Sequence, residues 1–200
     1  MDLGAKLGVM FRIIPLTPHL LAMLGSRNRS TFYGDVRRWA KIRDERDLAS
    51  DGEVLRYILA TLPFVEEFRS VFYYRFPRAN IFRFLASGSP ALYLNVGSIG
   101  PGLYIQHGFA TVLAAKSVGR DLWLNQQVTV GWNRRAGPPT IGDNVRISAG
   151  AKVCGDIHIG DNVIIGANAV VTKSVPANCV VAGIPARIIR RDGVKVDEPL

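Results

Sequence analysis

Three histidines and two cysteines are the side chains of this 200-residue sequence that can exchange a proton near neutral pH. His19 lies in an apolar, helix-like stretch and reads as structural, and His158, within Asp156-Ile157-His158-Ile159, reads as a surface residue. His107 follows Tyr104-Ile105-Gln106, and no Asp or Glu lies between Ala91 and Arg120 to orient it. Cys154 and Cys179 are too few for a disulfide framework, and their apolar contexts point to buried, reduced thiols in a cytoplasmic protein.

The elements that must position these groups are announced by a period of six. Aliphatic residues recur at Ile141, Ile147, Val153, Ile159, Ile165 and Val171, with small or aliphatic residues four places later at Val145, Ala149 or Ala151, Ile157, Val163, Ala169 and Val175. Six fits neither the 3.6-residue helix nor the alternating strand. It is the period of a solenoid in which three six-residue faces make a triangular turn, so that residues eighteen apart stack in a column. Gly142-Asp143-Asn144 and Gly160-Asp161-Asn162 supply corner residues that tolerate unusual dihedrals.

Upstream the period is less regular: Ile99, Ile105, a one-residue slip, then Val112, Val118, Leu124 and Val130. From Val130 to Ile141 the spacing is eleven, so about five residues bulge from the solenoid between Gly131 and Thr140. An insertion on a rigid scaffold is a natural place for function. Trp132 in this loop can cover a ligand or pack on a neighbouring subunit, and Arg134 and Arg135 suit an anionic ligand or solvent. The frame is lost after Val175-Pro176; residues 182–187 close the body, and the polar tail from Asp192 to Leu200 is expected to fray.

Residues 1–90 have helical patterning. Ile13 to Gly25 reads as one helix or two short ones. Asp35 is placed to cap a helix carrying Val36, Trp39 and Ala40, Asp51 to start a second with Val54, Leu55, Ile58 and Leu59 on one face, and Pro63 to open a third bearing Phe64, Phe68, Val71, Phe72 and Phe76, which Pro77 ends. Ser87-Gly88-Ser89-Pro90 marks a boundary. A hydrophobic content of 48% with 20% charge describes a core-forming chain rather than a disordered one. The net charge of +9 asks for an anionic partner. Nucleic acid is disfavoured because the basic residues are spread over both halves without a recognition motif; a phosphorylated cofactor or an anionic membrane surface fits, the membrane being the less favoured. No run of eighteen apolar residues marks a transmembrane helix.

The run from Ile99 to Arg190 resembles the serine acetyltransferase branch of the hexapeptide-repeat acyltransferases. The resemblance rests on Gly100-Pro101-Gly102-Leu103-Tyr104-Ile105-Gln106-His107-Gly108, Gln126-Gln127-Val128-Thr129-Val130-Gly131, the repeats from Ile141 to Val171, and Ala182-Gly183-Ile184-Pro185-Ala186-Arg187. The segment Glu67 to Arg75 is similar to the end of that branch's N-terminal helices. The resemblance implies a mainly β fold, a left-handed parallel β-helix over 91–187 behind the helical region 1–90, with 188–200 as a tail. It also implies transfer of an acetyl group from acetyl-CoA to a hydroxyl, without a metal, in homotrimers or dimers of trimers whose active sites lie between neighbouring prisms.

By that resemblance His107 is the catalytic base and backbone donors hold the oxyanion. Ala149, Gly150, Ala167 and Gly183 would let the pantetheine arm of CoA lie against the backbone. Lys173, Arg187 and also Arg146 would meet its phosphates, while Gln106 and Trp132 would face the acceptor. Serine-specific members carry an acidic residue where this chain has Gln106, an Asp where it has Leu92, and an Arg-His pair where it has Gly137-Pro138. Those departures favour an uncharged sugar hydroxyl, as in capsule or exopolysaccharide building, over L-serine. A prism that has kept its shape and lost its chemistry is the non-enzymatic alternative. The chain ends in Leu200 rather than the Ile with which that branch docks a sulfhydrylase, so no such docking is expected.

Overall fold

A computed structural model describes residues 14–132 and 137–200. The expectations attached to Arg134 and Arg135 lie outside the described residues. The chain forms two compact units, one ending at Pro90 and the other running from Ala91 to Leu200.

Among the described residues the first unit holds four helices, α1 (Thr17–Leu24), α2 (Arg29–Arg43), α3 (Asp51–Thr61) and α4 (Glu66–Arg75), with 3-10 segments at Ile14–Leu16 and Pro77–Phe82. Helix α3 starts behind a capping box: Ser50 Oγ accepts from the Glu53 N–H at 3.3 Å, and Glu53 Oε2 accepts from the Ser50 and Ala49 N–H groups at 3.0 and 2.8 Å. These bonds hold the Glu53 carboxyl below its usual range. The core is aromatic. Phe32 packs on Phe68 and Phe72, each at 5.5 Å between centroids, and Trp39 meets Phe68 edge-on at 5.2 Å.

Three sequence expectations are corrected here. Asp35 caps nothing; it sits mid-helix in α2, fully buried, and accepts from Arg75 Nε at 2.7 Å and Nη2 at 3.0 Å. Its bidentate partner lies forty residues away, which no local pattern reveals. Pro63 precedes α4 rather than opening it, because Val65 is the N-cap residue, and Phe64 is consequently exposed.

The second unit is a parallel solenoid of three faces. One face stacks β1 (Leu92–Val96), β3 (Thr111–Ala115), β6 (Thr129–Gly131), β9 (Lys152–Cys154) and β12 (Val170–Val171). The second stacks β4 (Ser117–Val118), β7 (Thr140–Ile141) and β10 (His158–Ile159). The third stacks β2 (Tyr104–Ile105), β5 (Trp123–Leu124), β8 (Arg146–Ile147), β11 (Ile164–Ile165) and β13 (Cys179–Ala182), and continues into β14 (Arg187–Arg191) and β15 (Val194–Pro199). Inside run three columns: Leu113, Val130, Val153 and Val171; Val118, Ile141 and Ile159; and Ile105, Leu124, Ile147, Ile165 and Val181. All of these side chains are buried.

The inward residue of β3 is therefore Leu113, not Val112, which faces out. The tail does not fray either. Strand β14 returns antiparallel on β13, and β15 pairs with β14. Arg187 and Arg191 meet Asp197 and Glu198 across that hairpin, so alternate charges of the polar tail are cross-strand partners. Cys179 is buried as expected, whereas Cys154 faces outward; both are free thiols.

Two outcomes follow for the helical unit. Asp35→Ala leaves the Arg75 guanidinium buried without its carboxylate and is expected to cost about 3–5 kcal/mol, read by urea unfolding of the full chain. His19 is 1% exposed, and its Nε2 donates to Tyr73 Oη at 2.7 Å, since that hydroxyl donates in turn to the Ala86 carbonyl. Burial pushes the His19 pKa down, and the carbonyls of Pro15 and Phe82 oppose part of that. The folded state thus binds fewer protons than the unfolded one. This contribution to stability is full above the ordinary imidazole pKa of about 6.5 and is lost as pH falls below it. Unfolding midpoints measured down that range should fall, and His19→Gln should flatten the slope.

Candidate active site

The corner leading from the third face to the first turns within two residues in most coils. Leu124 is followed by Asn125 and Gln126 before Gln127 at φ 58°; Ile147 by Ser148 and Ala149 before Gly150 at φ 74°; Ile165 by Gly166 and Ala167 before Asn168 at φ 57°. Backbone bonds register these corners, from Gln127 N–H to the Phe109 carbonyl, Gly150 N–H to Gln126, and Asn168 N–H to Ala149, at 2.8, 3.0 and 2.9 Å. In the first coil, Gln106, His107, Gly108 and Phe109 all stand between Ile105 and the left-handed Ala110. The corner is two residues wider there. His107 lies in this widening at φ 54°, exposed at the edge of the prism. Left-handed residues stand at the other corners too, so what sets this corner apart is its two added residues.

The same edge carries most of the residues singled out for CoA. Below His107 follow Ala149 and Gly150, then Ala167, then Gly183, whose carbonyl accepts from the Val170 N–H at 3.1 Å. At the ~4.8 Å spacing of paired strands these levels span roughly 19 Å, so one extended chain could run along the edge. Gly150 lets the next coil pack closely there, since a Cβ would collide with the Asn168 side chain. Two residues to which sequence reasoning gave no role also face this edge. The Asn125 Oδ1 and Gln126 Oε1 atoms are buried and accept no hydrogen bond among the described residues. Buried acceptors of this kind ordinarily take a hydrogen bond from protein or ordered water. The signal available in sequence was their corner position, one coil above Ala149.

Gln106 is half-buried, and its Oε1 accepts from Asn125 Nδ2 at 3.2 Å, which fixes the amide beside His107. Leu92 is on β1, opposite Thr111, with no carboxylate in that position. The histidine ring makes no hydrogen bond among the described residues.

The remaining candidates are elsewhere. Trp132 stands at the opposite edge of the first face, half-exposed, over a largely apolar concavity of about 710 Å³ whose floor includes Val112, Ala114, Thr129, Cys154 and Thr172. Lys173 is beyond β12 on that side, and its Nζ donates to the Leu200 carbonyl at 2.6 Å. Arg187 follows the Gly183 turn but is paired with Asp197 at 2.6 Å. Arg146 lies over the Trp123 ring at 4.0 Å. His158 is exposed on β10, away from His107. Among the described residues no group of three His, Cys, Asp or Glu could hold a metal ion.

This close packing yields an outcome of its own. Gly150→Ala forces an L side chain into the left-handed region and pushes on Asn168, and should lower prism stability by about 1–2 kcal/mol in thermal or urea unfolding.

Comparison with known proteins agrees with this geometry. Residues 138–173 match the family described as Bacterial transferase hexapeptide (six repeats). A serine acetyltransferase of Staphylococcus aureus (strain Mu50 / ATCC 700699) is 47% identical over 102 residues, 49% of this chain and 48% of that protein. The chain thus spans about half the length of the curated relatives it matches. The crystal structure of serine acetyltransferase from Brucella abortus strain S19 superposes with a TM-score of 0.61 at 25% identity, covering 86% of this chain and 70% of that one. A serine acetyltransferase in complex with CoA does so with a TM-score of 0.56 at 25% identity, over 80% and 68%. With its stacked columns and its helical N-terminal unit, the chain shares the mainly β solenoid architecture of these neighbours, carries a hexapeptide-repeat match over residues 138–173, and is similar to serine acetyltransferases over about half its length.

Proposed function

We propose that the protein is an acetyl-CoA-dependent O-acetyltransferase of the serine acetyltransferase-like type, with His107 as general base. The observation that carries this reading is the shared edge: His107 stands in a widened, left-handed corner at the head of a column formed by Ala149, Gly150, Ala167 and Gly183. The CoA chain would lie along that column with its thioester end at His107. The imidazole takes the proton of the acceptor hydroxyl as its oxygen attacks the thioester carbonyl. Collapse of the tetrahedral adduct expels the CoA thiolate, which the imidazolium protonates. The acetyl ester and free CoA are the products.

The acceptor follows from what surrounds the base. Gln106 replaces a carboxylate, Leu92 offers none, and Gly137-Pro138 stands in place of a cationic pair, so little at this edge would grip an ammonium and carboxylate together. The resemblance as a whole favours L-serine; these three positions favour a sugar hydroxyl, as in capsule or exopolysaccharide building. His107 and Trp132 lie at opposite edges of one face, so a site holding both needs His107 from one copy and Trp132 from another. That supports a homotrimer, alone or paired as a dimer of trimers. Two free thiols support a cytoplasmic location.

Free-CoA release measured with L-serine, nucleotide sugars and oligosaccharides will identify the acceptor. His107→Ala is expected to lower turnover by about 10²–10⁴-fold with little change in acetyl-CoA affinity by calorimetry. Full turnover in that variant would sink the mechanism. Loss of acetyl-CoA binding in the wild-type protein would instead favour a non-catalytic prism.

A further inference from the structure

The helical unit carries an apolar surface that neither its own core nor the proposed chemistry uses. Helix α1 buries His19 and Met23 and leaves Leu21 and Leu24 on the opposite side, 65% and 50% exposed. The 3-10 segment Pro77–Phe82 turns Ala79 inward, and Ile81 and Phe84, three residues apart, are 71% and 82% exposed. The two segments are antiparallel neighbours: His19 lies 5.8 Å from Phe82 at one end, while Ala22 and Gly25 share a concavity with Phe76 and Arg78 at the other. Large apolar side chains exposed to this degree on adjoining elements mark an interaction surface.

Charge identifies the partner. Residues 14–34 and 68–90, which build this surface, contain no Asp or Glu, and they bring Arg27, Arg29, Arg78 and Arg83 to it. Arg83 is held over the Tyr73 ring at 5.0 Å, whereas Arg27, Arg29 and Arg78 are exposed. A two-fold contact with a second copy would set arginines against arginines with no carboxylate between them. An apolar stripe flanked only by cations is what the interface of an anionic bilayer recognises: aromatic and aliphatic groups enter between the headgroups while guanidinium groups meet lipid phosphates. No described helix is long and apolar enough to cross a membrane, so such binding is peripheral.

We infer that the protein docks on membranes containing anionic lipid through Leu21, Leu24, Ile81 and Phe84, with Arg27 and Arg78 on headgroup phosphates. This inference belongs to the helical unit and holds whether or not the prism transfers acetyl groups.

Co-sedimentation of the full chain with phosphatidylcholine vesicles, with and without phosphatidylglycerol, tests it. The wild-type protein should partition onto the phosphatidylglycerol vesicles and be released by raised salt. Ile81→Asp with Phe84→Asp should lower the partition coefficient at least tenfold, and Arg27→Gln with Arg78→Gln should remove the preference for phosphatidylglycerol. All four positions are exposed, so an unchanged thermal transition verifies folding. The inference is overturned if the wild type stays in solution with both vesicle types, or if the double Asp variant sediments as well as wild type. It is equally overturned if that variant only reduces the oligomer mass of a wild type that ignores vesicles, or if deleting residues 2–13 abolishes binding that the Asp pair leaves intact.

Discussion

A chain that coils into a three-sided prism has to turn about 120° at every corner without losing the hydrogen bonds that tie each coil to the next. The prism meets this demand with single left-handed residues stacked in register. Gln127, Gly150 and Asn168 occupy one edge; Asp121, Asn144, Asn162 and Asn178 occupy another, all with φ between 54° and 74°. Asparagine tolerates this region because its short amide can bond locally. Here it does more, since Asn144 Nδ2 donates to Asn162 Oδ1 and Asn162 Nδ2 to Asn178 Oδ1, both at 2.9 Å. The corner residues thereby form their own ladder outside the aliphatic columns. With corners fixed to the residue, the period of six is a geometric necessity, and any added residue has to leave the prism.

That necessity explains which parts were legible in the sequence. Ile141 to Val171 could be assigned to interior columns because each coil there repeats the same count, and every one of those six aliphatics is buried. Upstream the count changes twice. The corner at His107 is two residues too long and the passage from Leu113 to Val118 one too short, so a single slip placed at Val112 looked sufficient. Either Val112 or Leu113 would satisfy a hydrophobic pattern; only pairing of Leu113 with Leu94 and Val130 decides between them. The helical unit shows the same limit differently. Ser50 and Asp51 marked the start of α3 through local chemistry, but the role of Asp35 depends on Arg75, and a buried ion pair between distant helices leaves no local signature.

The site was legible to a similar depth. His107 and the small residues Ala149, Gly150, Ala167 and Gly183 were all nameable from the sequence, yet nothing in their spacing showed that one edge unites them. That follows from corner register, which the backbone bonds from Gly150 to Gln126 and from Asn168 to Ala149 establish. Asn125 and Gln126 were passed over because amides at corners ordinarily serve the turn; their unsatisfied oxygens become visible only once the neighbouring coils are in place. Lys173 and Arg187 show the limit from the other direction. Each looked like a phosphate ligand, and each is engaged by the C-terminal hairpin, a structure the polar tail did not suggest because its strand character comes from charge pairing across β14 and β15 rather than from alternating apolar residues.

Under the proposed function, a base without a carboxylate partner changes what the site demands of its substrate. In a site where an acid orients the imidazole, the resulting imidazolium is stabilised by the enzyme, and a charged substrate can be gripped by the same set of ions. Around His107 the nearest fixed polar group is a neutral amide, Gln106, itself tied to Asn125. A developing positive charge on His107 then has to be met by the oxyanion forming on the thioester, within the same encounter. Such a site selects against acceptors that bring an ammonium group of their own, since like charges close together raise the cost of protonating the base. It accepts a neutral hydroxyl compound without that penalty. In the proposed reaction, an amide at Gln106 and an aliphatic side chain at Leu92 in place of carboxylates thus favour an uncharged polyol as acceptor.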